Sequence, residues 1–503
     1  MKAASATRWP WLECRLGEPF AGVASPATRI CRHTTSAAVA SGTLTSHQNS
    51  VPPTLKAIMT IDAAGSRHHT GLPSAVLDRV RRPFMRFLAI EAAAGAILLL
   101  ATLAALVLSN SPWAYLYHEV WEVQVGFQIG AWDFARPAEA WINDALMTLF
   151  FFLVSLELKR ELVLGELRRP RMAALSIAAA LGGMLVPAAL YAALQVGEPG
   201  EYGWGTVMAT DTAFVVGCLA LLGRRIPPSL RLFMLSLAIV DDIGAILVVA
   251  VGYSSEISWS ALVFAALGIA IVRALAVLGV RGFTGYFLVG GCIWIAIDAS
   301  GIHATVTGVI LGLMTPARRW VSDDRLYAIL EQVIAHPVAD EGSGDTKDRE
   351  TLLAAEFAAR EALSPVERLE LGLHPWVGFV IMPLFAFANA GVPLSLENLF
   401  GPVTAAIMLG FCVGKPLGVV SFTWLAVRTG IAVRPPELSW SLLLGGGFLA
   451  GIGFTMALFI ANLAYGDASI GNAKLSILLA SVLSAIAGLV ILTWSTADRS
   501  RLP

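Results

Sequence analysis

The sequence predicts an all-α polytopic membrane protein of about twelve spans, and three observations carry that prediction. Of 503 residues, 56% are hydrophobic and only 14% charged, and the mean hydropathy of +0.70 lies outside the usual range of soluble domains. Apolar stretches of spanning length recur from residue 88 to residue 494. Finally, residues 232–251 (LFMLSLAIVDDIGAILVVAV) hold Asp241 and Asp242 at their centre. One ionised side chain at a bilayer centre costs roughly 3 kcal/mol, so two in succession are kept only where they hold a cation or a proton or face water.

A sliding window of about 19 residues places the spans at 88–108, 142–158, 172–196, 203–222, 232–252, 259–279, 284–299, 302–315, 375–392, 402–426, 440–465 and 472–494. Those ending at Ala299 and Thr315 are shorter than the roughly 20 residues of a straight crossing. Basic residues precede the first span (Arg79, Arg81, Arg82, Arg86) and recur after every second one: Lys159, Arg160, Arg168, Arg169 and Arg171; Arg224, Arg225 and Arg231; Arg318 and Arg319; Arg428 and Arg434. The intervening loops carry Glu198, Glu201, Glu256, Glu397 and Asp467, with Arg136 the main basic exception. The positive-inside rule then puts both termini in the cytoplasm. Arg273, inside the sixth span, reads as snorkelling to the cytoplasmic interface, and Glu91 as interfacial.

Three segments are not membrane. Residues 1–84 are rich in Ala, Ser, Thr, Pro and Arg and read as a transit peptide, an unstructured extension or a mis-assigned start, with Met59 an alternative first residue. The membrane domain is expected over 85–495, followed by a cytoplasmic tail at 496–503. Residues 120–134 (VWEVQVGFQIGAWDF) alternate in polarity around Gly126 and Gly130, the pattern of a short extracytoplasmic β-hairpin. The polar stretch 316–373, centred on EGSGDTKDRE, reads as a cytoplasmic linker within the membrane domain, with amphipathic helix possible on either side of its centre.

The chemistry-bearing residues gather in four spans. Thr210 and Asp211 lie near the middle of the fourth, Asp241 and Asp242 in the fifth, and Lys415, followed by the helix-bending Pro416, in the tenth. The eleventh carries Gly445, Gly446, Gly447, Gly451 and Gly453, too much glycine for an uninterrupted helix unless it is broken or tightly packed. The triplets 172–252 and 402–494 each have an interruptible middle span, as inverted-topology repeats would. Two crossed discontinuous helices would meet at mid-depth with two N-termini on one side and two C-termini on the other; Asp211 would neutralise the first pair and Lys415 the second.

Burial moves carboxylates and lysines alike towards the range where protons exchange. A partly dehydrated sodium ion needs oxygen ligands, which Asp242, Asp241, the Thr210 hydroxyl and unwound backbone carbonyls supply. Competition of sodium and protons for one site is then exchange without a second pocket. The chain has no GxxxxGK[ST] phosphate loop, and its five cysteines are scattered without a CxxC, which leaves nucleotide-driven and zinc-dependent chemistry without a motif. An intramembrane aspartyl protease would carry its acids on separate helices with a GxGD-type signature, whereas Asp242 precedes Ile243 and Gly244.

Seven segments carry a specific resemblance: INDALMTLFFFLVSLELKREL (142–162), ATDTAF (209–214), LAIVDDIGAI (237–246), SGIHAT (300–305), LHPWVGFVIMPLFAFANAGV (373–392), GKPLG (414–418) and GIGFTMALFIA (451–461). In this order, over residues 85–494, the chain resembles the NhaA family of bacterial sodium/proton antiporters. That family is a standard example of inverted repeats with broken helices, so the architecture is recognised as much as inferred. The resemblance implies Asp242 as the principal cation and proton site, Asp241 as its neighbour able to pair with Lys415, and Thr210 and Asp211 as elements of the helix crossing. It further implies expulsion of Na+ and Li+ against protons, a homodimer in the bacterial inner membrane, and neither cofactor, nucleotide nor nucleic acid as a partner. With Asp241, Asp242 and Lys415 at one depth and room for one cation between them, exchange is expected to be electrogenic. Asp144 matches a family carboxylate at the outer end of the second span; beside Asn143 it also reads as a helix N-cap. Glu157, Arg160, Glu161, Glu370 and His374 match a cytoplasmic mouth associated with pH response, where this chain departs by having Leu371 and Glu367. His303 reads as a packing residue. A sodium-coupled solute symporter on a related fold is the alternative, since inverted-repeat folds host several substrates.

Overall fold

In hydrocarbon no water satisfies a backbone amide or carbonyl, so a chain this apolar crosses as helices that bond their own backbone. The computed structural model describes residues 91–129, 132–165, 170–198, 200–254, 257–280, 282–335, 346–394 and 401–497. The extension expected over 1–84 and residues 498–503 of the expected tail lie outside the described residues.

The first helix, α1 (Glu91–Ser109), meets α2 (Ala114–Glu122) at a bend of 113°. Strand β1 (Gln124–Ile129) pairs antiparallel with β2 (Trp132–Pro137), Gly126 facing Ala135. The pairing thus begins four residues beyond the start expected at 120, because Val120 to Glu122 complete α2. Helix α3 (Ala138–Val163) and α4 (Pro170–Gln195) follow. A tight helical segment, Glu201–Met208, leads through extended residues into α5 (Thr212–Leu222), and α6 (Pro228–Gly252) runs unbroken beside it. Helices α7 (Trp259–Val277), α8 (Phe283–Asp298) and α9 (Val306–Met314) form a satellite layer.

The linker region holds α10 (Asp323–Ala335) and α11 (Thr346–Glu361). Then α12 (Pro365–Asn389) starts ten residues before the expected 375, since Ser364 and Glu367 close a reciprocal capping box ahead of Pro365. The second half comprises α13 (Pro402–Arg428), α14 (Trp440–Ala450), α15 (Phe454–Ala464) and α16 (Asp467–Ala497).

Among the described residues eight helical segments are long and apolar enough to cross a membrane, counting Glu201–Leu222 as one, and ten if the bent pairs α1–α2 and α14–α15 each count as one. Two of the twelve expected spans correspond to α8 and α9, whose 16 and 9 residues fall short of that length. Leu100, Leu103 and Val107 on α1 and Val263, Phe264 and Leu267 on α7 are exposed, as lipid-facing surfaces are.

Where lipid supplies no hydrophobic drive between helices, close approach of small residues does the packing. A Cβ on Gly182 of α4 would stand 2.2 Å from the Gly418 carbonyl oxygen of α13, and one on Gly418 would stand 2.1 Å from that of Gly182. Slightly further along, a Cβ on Gly414 would meet the Pro187 Cα at 2.8 Å. Three helices also contain a π turn, at Ile142–Leu146, Val377–Ile381 and Gly410–Gly414. Such a turn inserts one residue and re-aims the side chains beside it, here Asn143 and Asp144 in α3 and Lys415 in α13.

This contact yields a stability prediction. Gly182→Val must push α4 off α13, costing about 1–3 kcal/mol and lowering the thermal midpoint in detergent, whereas Gly285→Ala, with nothing within 4 Å of its Cβ, should leave the midpoint within error. Equal melting curves for the two variants would contradict the packing described.

Candidate functional site

Successive helix residues point about 100° apart, so Asp241 and Asp242, one after the other on α6, take different hydrogen-bond partners. Asp241 Oδ2 accepts from Lys415 Nζ at 2.8 Å and from the Thr210 hydroxyl at 2.7 Å, with both charged side chains fully buried. Asp242, 3% exposed, accepts from the Thr212 hydroxyl at 3.2 Å and has no cationic side chain in ion-pair contact among the described residues. Lys415 reaches this depth because the π turn of α13 ends at Gly414 and Pro416 follows. Its ammonium also donates to Thr210 Oγ1 at 2.7 Å.

The two helix breaks meet here. After Glu201–Met208 the chain is extended through Ala209, Thr210 and Asp211, and α14 ends at Ala450, three residues (451–453) before α15 resumes at Phe454, 46° away. The Asp211 amide donates to the Ile452 carbonyl at 2.7 Å, and the Thr210 hydroxyl faces both Asp241 Oδ2 and the Ala450 carbonyl at 2.9 Å. Its single proton satisfies one of these at a time. The Asp211 carboxylate accepts from the amides of Phe214 and Thr455, each at 3.1 Å, and from the Thr455 hydroxyl. One carboxylate therefore caps two helix N-termini, those of α5 and α15, where partial positive charge collects. Ser481 takes the remaining Phe454 amide at 3.1 Å.

At the hairpin end of α3, Arg136 on β2 bridges Asp144 (3.1 Å) and Asp298, and His303 Nε2 stands 3.7 Å from Asp144 while Nδ1 contacts Thr305 Oγ1 at 2.9 Å. Asp144 lies inside the π turn of α3 and caps no helix; the N-cap position there is Pro137, and Asn143 bonds Asn389 of α12 instead. His303 packs edge-on against Phe459 at 5.3 Å. At the other end of α3, Arg160 reaches Glu370 at 2.8 Å and Glu161 at 3.6 Å, with Glu157 and His374 one turn away along α3 and α12. Glu367 is held by Ser364 and by Arg319 at 3.5 Å. Arg273 lines a cavity of about 360 Å³ among α3, α7, α8, α9 and α12, which does not include the aspartate pair.

Thr212, Thr455, Ser481 and Asp298 escape a reading of the sequence alone. The first two sit inside ATDTAF and GIGFTMALFIA, yet nothing in those strings says which hydroxyl faces which acid. Arg136 was visible as the basic exception among the outer loops, without its two carboxylate partners.

Among the described residues no three His, Cys, Asp or Glu side chains gather as a metal centre. What is built is an intramembrane ion pair beside an unpaired acid at the junction of two broken helices, the site of a multi-pass secondary transporter. The sequence model of the Na+/H+ antiporter 1 family matches residues 85–492, and this chain belongs to that family. It is 61% identical to "Na(+)/H(+) antiporter NhaA 2" of Acidiphilium cryptum, over 84% of this chain and 94% of that protein. It is 59% identical to "Na(+)/H(+) antiporter NhaA" of Rhizobium meliloti, over 86% and 98% respectively. A relative in Vibrio vulnificus, "Na(+)/H(+) antiporter NhaA 2", is 55% identical over 85% and 96%.

The buried pair gives a second stability prediction. Lys415→Met strands the Asp241 charge and should cost about 3–5 kcal/mol, while adding Asp241→Asn restores much of it. A double-mutant cycle of melting midpoints reads the coupling, and additive losses would mean the two groups do not interact.

Proposed function

We propose that this chain exchanges Na+, and Li+, for protons across the bacterial inner membrane, with Asp242 the shared site. The observation that carries the reading is a charge count. Asp211 rests on two helix N-termini and Asp241 on Lys415, but Asp242 is buried with only a hydroxyl for company. A carboxylate so placed has to hold either a proton or a metal cation. Mutual exclusion of the two at one oxygen pair couples their flows.

In this reading the chain crosses twelve times, α8 and α9 included, as inverted repeats with crossed broken helices and both termini in the cytoplasm. Lys415 offsets the helix C-termini through Thr210. Glu157, Arg160, Glu161, Glu370 and His374 form the cytoplasmic mouth that tunes exchange to pH, and Asp144 lines the outer passage. Alternating exposure of the site follows from one bundle moving against the other. Exchange is electrogenic: Asp242 and one of Asp241 and Lys415 carry protons in the empty state, both of which sodium displaces, so the two states differ by one charge. A potential of 100 mV acts on that difference with about 2.3 kcal/mol.

In inside-out vesicles, Na+ addition should dissipate a proton gradient with the parent protein and not with Asp242→Asn, although the variant inserts normally. Near-normal exchange by Asp242→Asn would remove the residue from the site, and Na+-dependent uptake of a solute in place of proton movement would indicate a symporter.

In proteoliposomes with the potential clamped by potassium and valinomycin, exchange should speed or slow with the imposed potential. Indifference to it would mean one-for-one exchange.

The hairpin β1–β2 is a two-stranded sheet among the described residues, with the Val125 carbonyl taken by Trp141, and a twin hairpin across a two-fold axis would extend it. Deleting it should shift the detergent-solubilised protein from dimer to monomer by mass measurement while exchange continues; an unchanged mass would rule out this contact.

A further inference from the structure

The antiport reading leaves open which neutral oxygens complete the cation's shell. Thr210 is poorly suited to it. Its hydroxyl accepts from Lys415 and faces two acceptors, Asp241 and the Ala450 carbonyl, so its proton and a lone pair are already committed and an ammonium stands beside it. Thr455 is taken up by Asp211. Thr212 differs on three counts. Its only hydrogen-bond contact among the described residues is Asp242. Its separation of 3.2 Å from Oδ2 is longer than the usual O–H···O range of about 2.5–3.0 Å, and close to the roughly 3.3 Å between two oxygens that bind one hard cation at right angles and about 2.3 Å. It is also half-buried, where Thr210, Asp211, Asp241, Asp242, Lys415 and Thr455 are all nearly or fully buried.

A second feature points to a ligand. Asp241 Oδ1, the oxygen not used by Lys415, is buried and meets no donor among the described residues. Asp211 is committed to two helix N-termini, and among the described residues no three carboxylates, imidazoles or thiolates converge on one metal position, so further ligands are hydroxyl or carbonyl oxygens. Resting on the antiport reading, we infer that Thr212 is a direct ligand of the transported alkali cation: its hydroxyl donates to Asp242 while the site is empty, and turns its oxygen lone pair to Na+ when the ion bridges Thr212 and Asp242. The first residue of α5 thereby sets part of the ion selectivity, since the larger Na+ needs more oxygens than Li+ and depends more on a neutral one.

The test uses full-length protein in proteoliposomes, titrated with NaCl and with LiCl, alongside the purified variants Thr212→Val, Thr212→Ala, Thr212→Ser and Asp242→Asn. Thr212→Val, close in shape to threonine, should raise the Na+ concentration for half-maximal exchange about tenfold and the Li+ value less, as loss of one interaction with a charged group does. Thr212→Ser should stay within about threefold of the parent. Melting curves in detergent identify a misfolded variant, and Thr212→Ala then supplies the hydroxyl-free measurement. Parent-like Na+ affinity in a folded hydroxyl-free variant overturns the assignment, and so does an equal loss with Thr212→Ser, which would make the role one of packing. If Asp242→Asn itself keeps Na+-driven exchange, the antiport site is misplaced; if it loses exchange while Thr212→Val does not change, only the role of Thr212 falls.

Discussion

Charge balance inside the membrane is the constraint on which the rest of the structure depends. Three buried carboxylates, Asp211, Asp241 and Asp242, share a small volume with a single lysine. Each missing positive charge has to come from somewhere, and the protein draws it from backbone geometry. Breaking two helices exposes the amides of Phe214 and Thr455, which receive Asp211, and the carbonyls of Ala450 and Ile452, which receive Thr210 and the Asp211 amide. An unbroken helix would keep those groups in its own ladder and leave Asp211 uncompensated.

The breaks in turn require tight neighbours. Irregular backbone at this depth persists only where protein, not lipid, surrounds it. The approach of α4 to α13 through Gly182 and Gly418, and the packing of Gly414 against Pro187, bring Lys415 up to the crossing. The π turn before Lys415 sets the direction of its side chain, and the same device places Asn143 and Asp144 near the hairpin end of α3. Stability and ion handling therefore draw on the same residues, and Lys415 belongs to both.

The site is asymmetric in a useful way. Asp241 is locked by two short contacts on one oxygen, while its neighbour one residue on has a single long one. A helix needs no more than its own 100° step per residue to separate a fixed acid from an exchangeable one. The cluster of Arg136, Asp144 and Asp298 and that of Arg160, Glu161 and Glu370 repeat the motif of a guanidinium between carboxylates at the two ends of α3.

By itself the sequence determined the membrane class, the apolar segments, the acids within them and the family, because hydropathy, charge and motif order are properties of a string. It also marked the glycine-rich break after α14, since so much glycine is incompatible with an ordinary helix. It placed the hairpin four residues early and α12 ten residues late, because a polarity pattern does not register where a preceding helix ends or where a capping box starts one. Only the tertiary structure decided partners. That Thr212 and not Thr210 bonds Asp242, that Asp211 accepts from Thr455, 244 residues on, as well as from the start of α5, and that Asp144 answers to Arg136 instead of capping a helix, all follow from which helices pack together. Such contacts join residues far apart in the chain, and no local spacing encodes them.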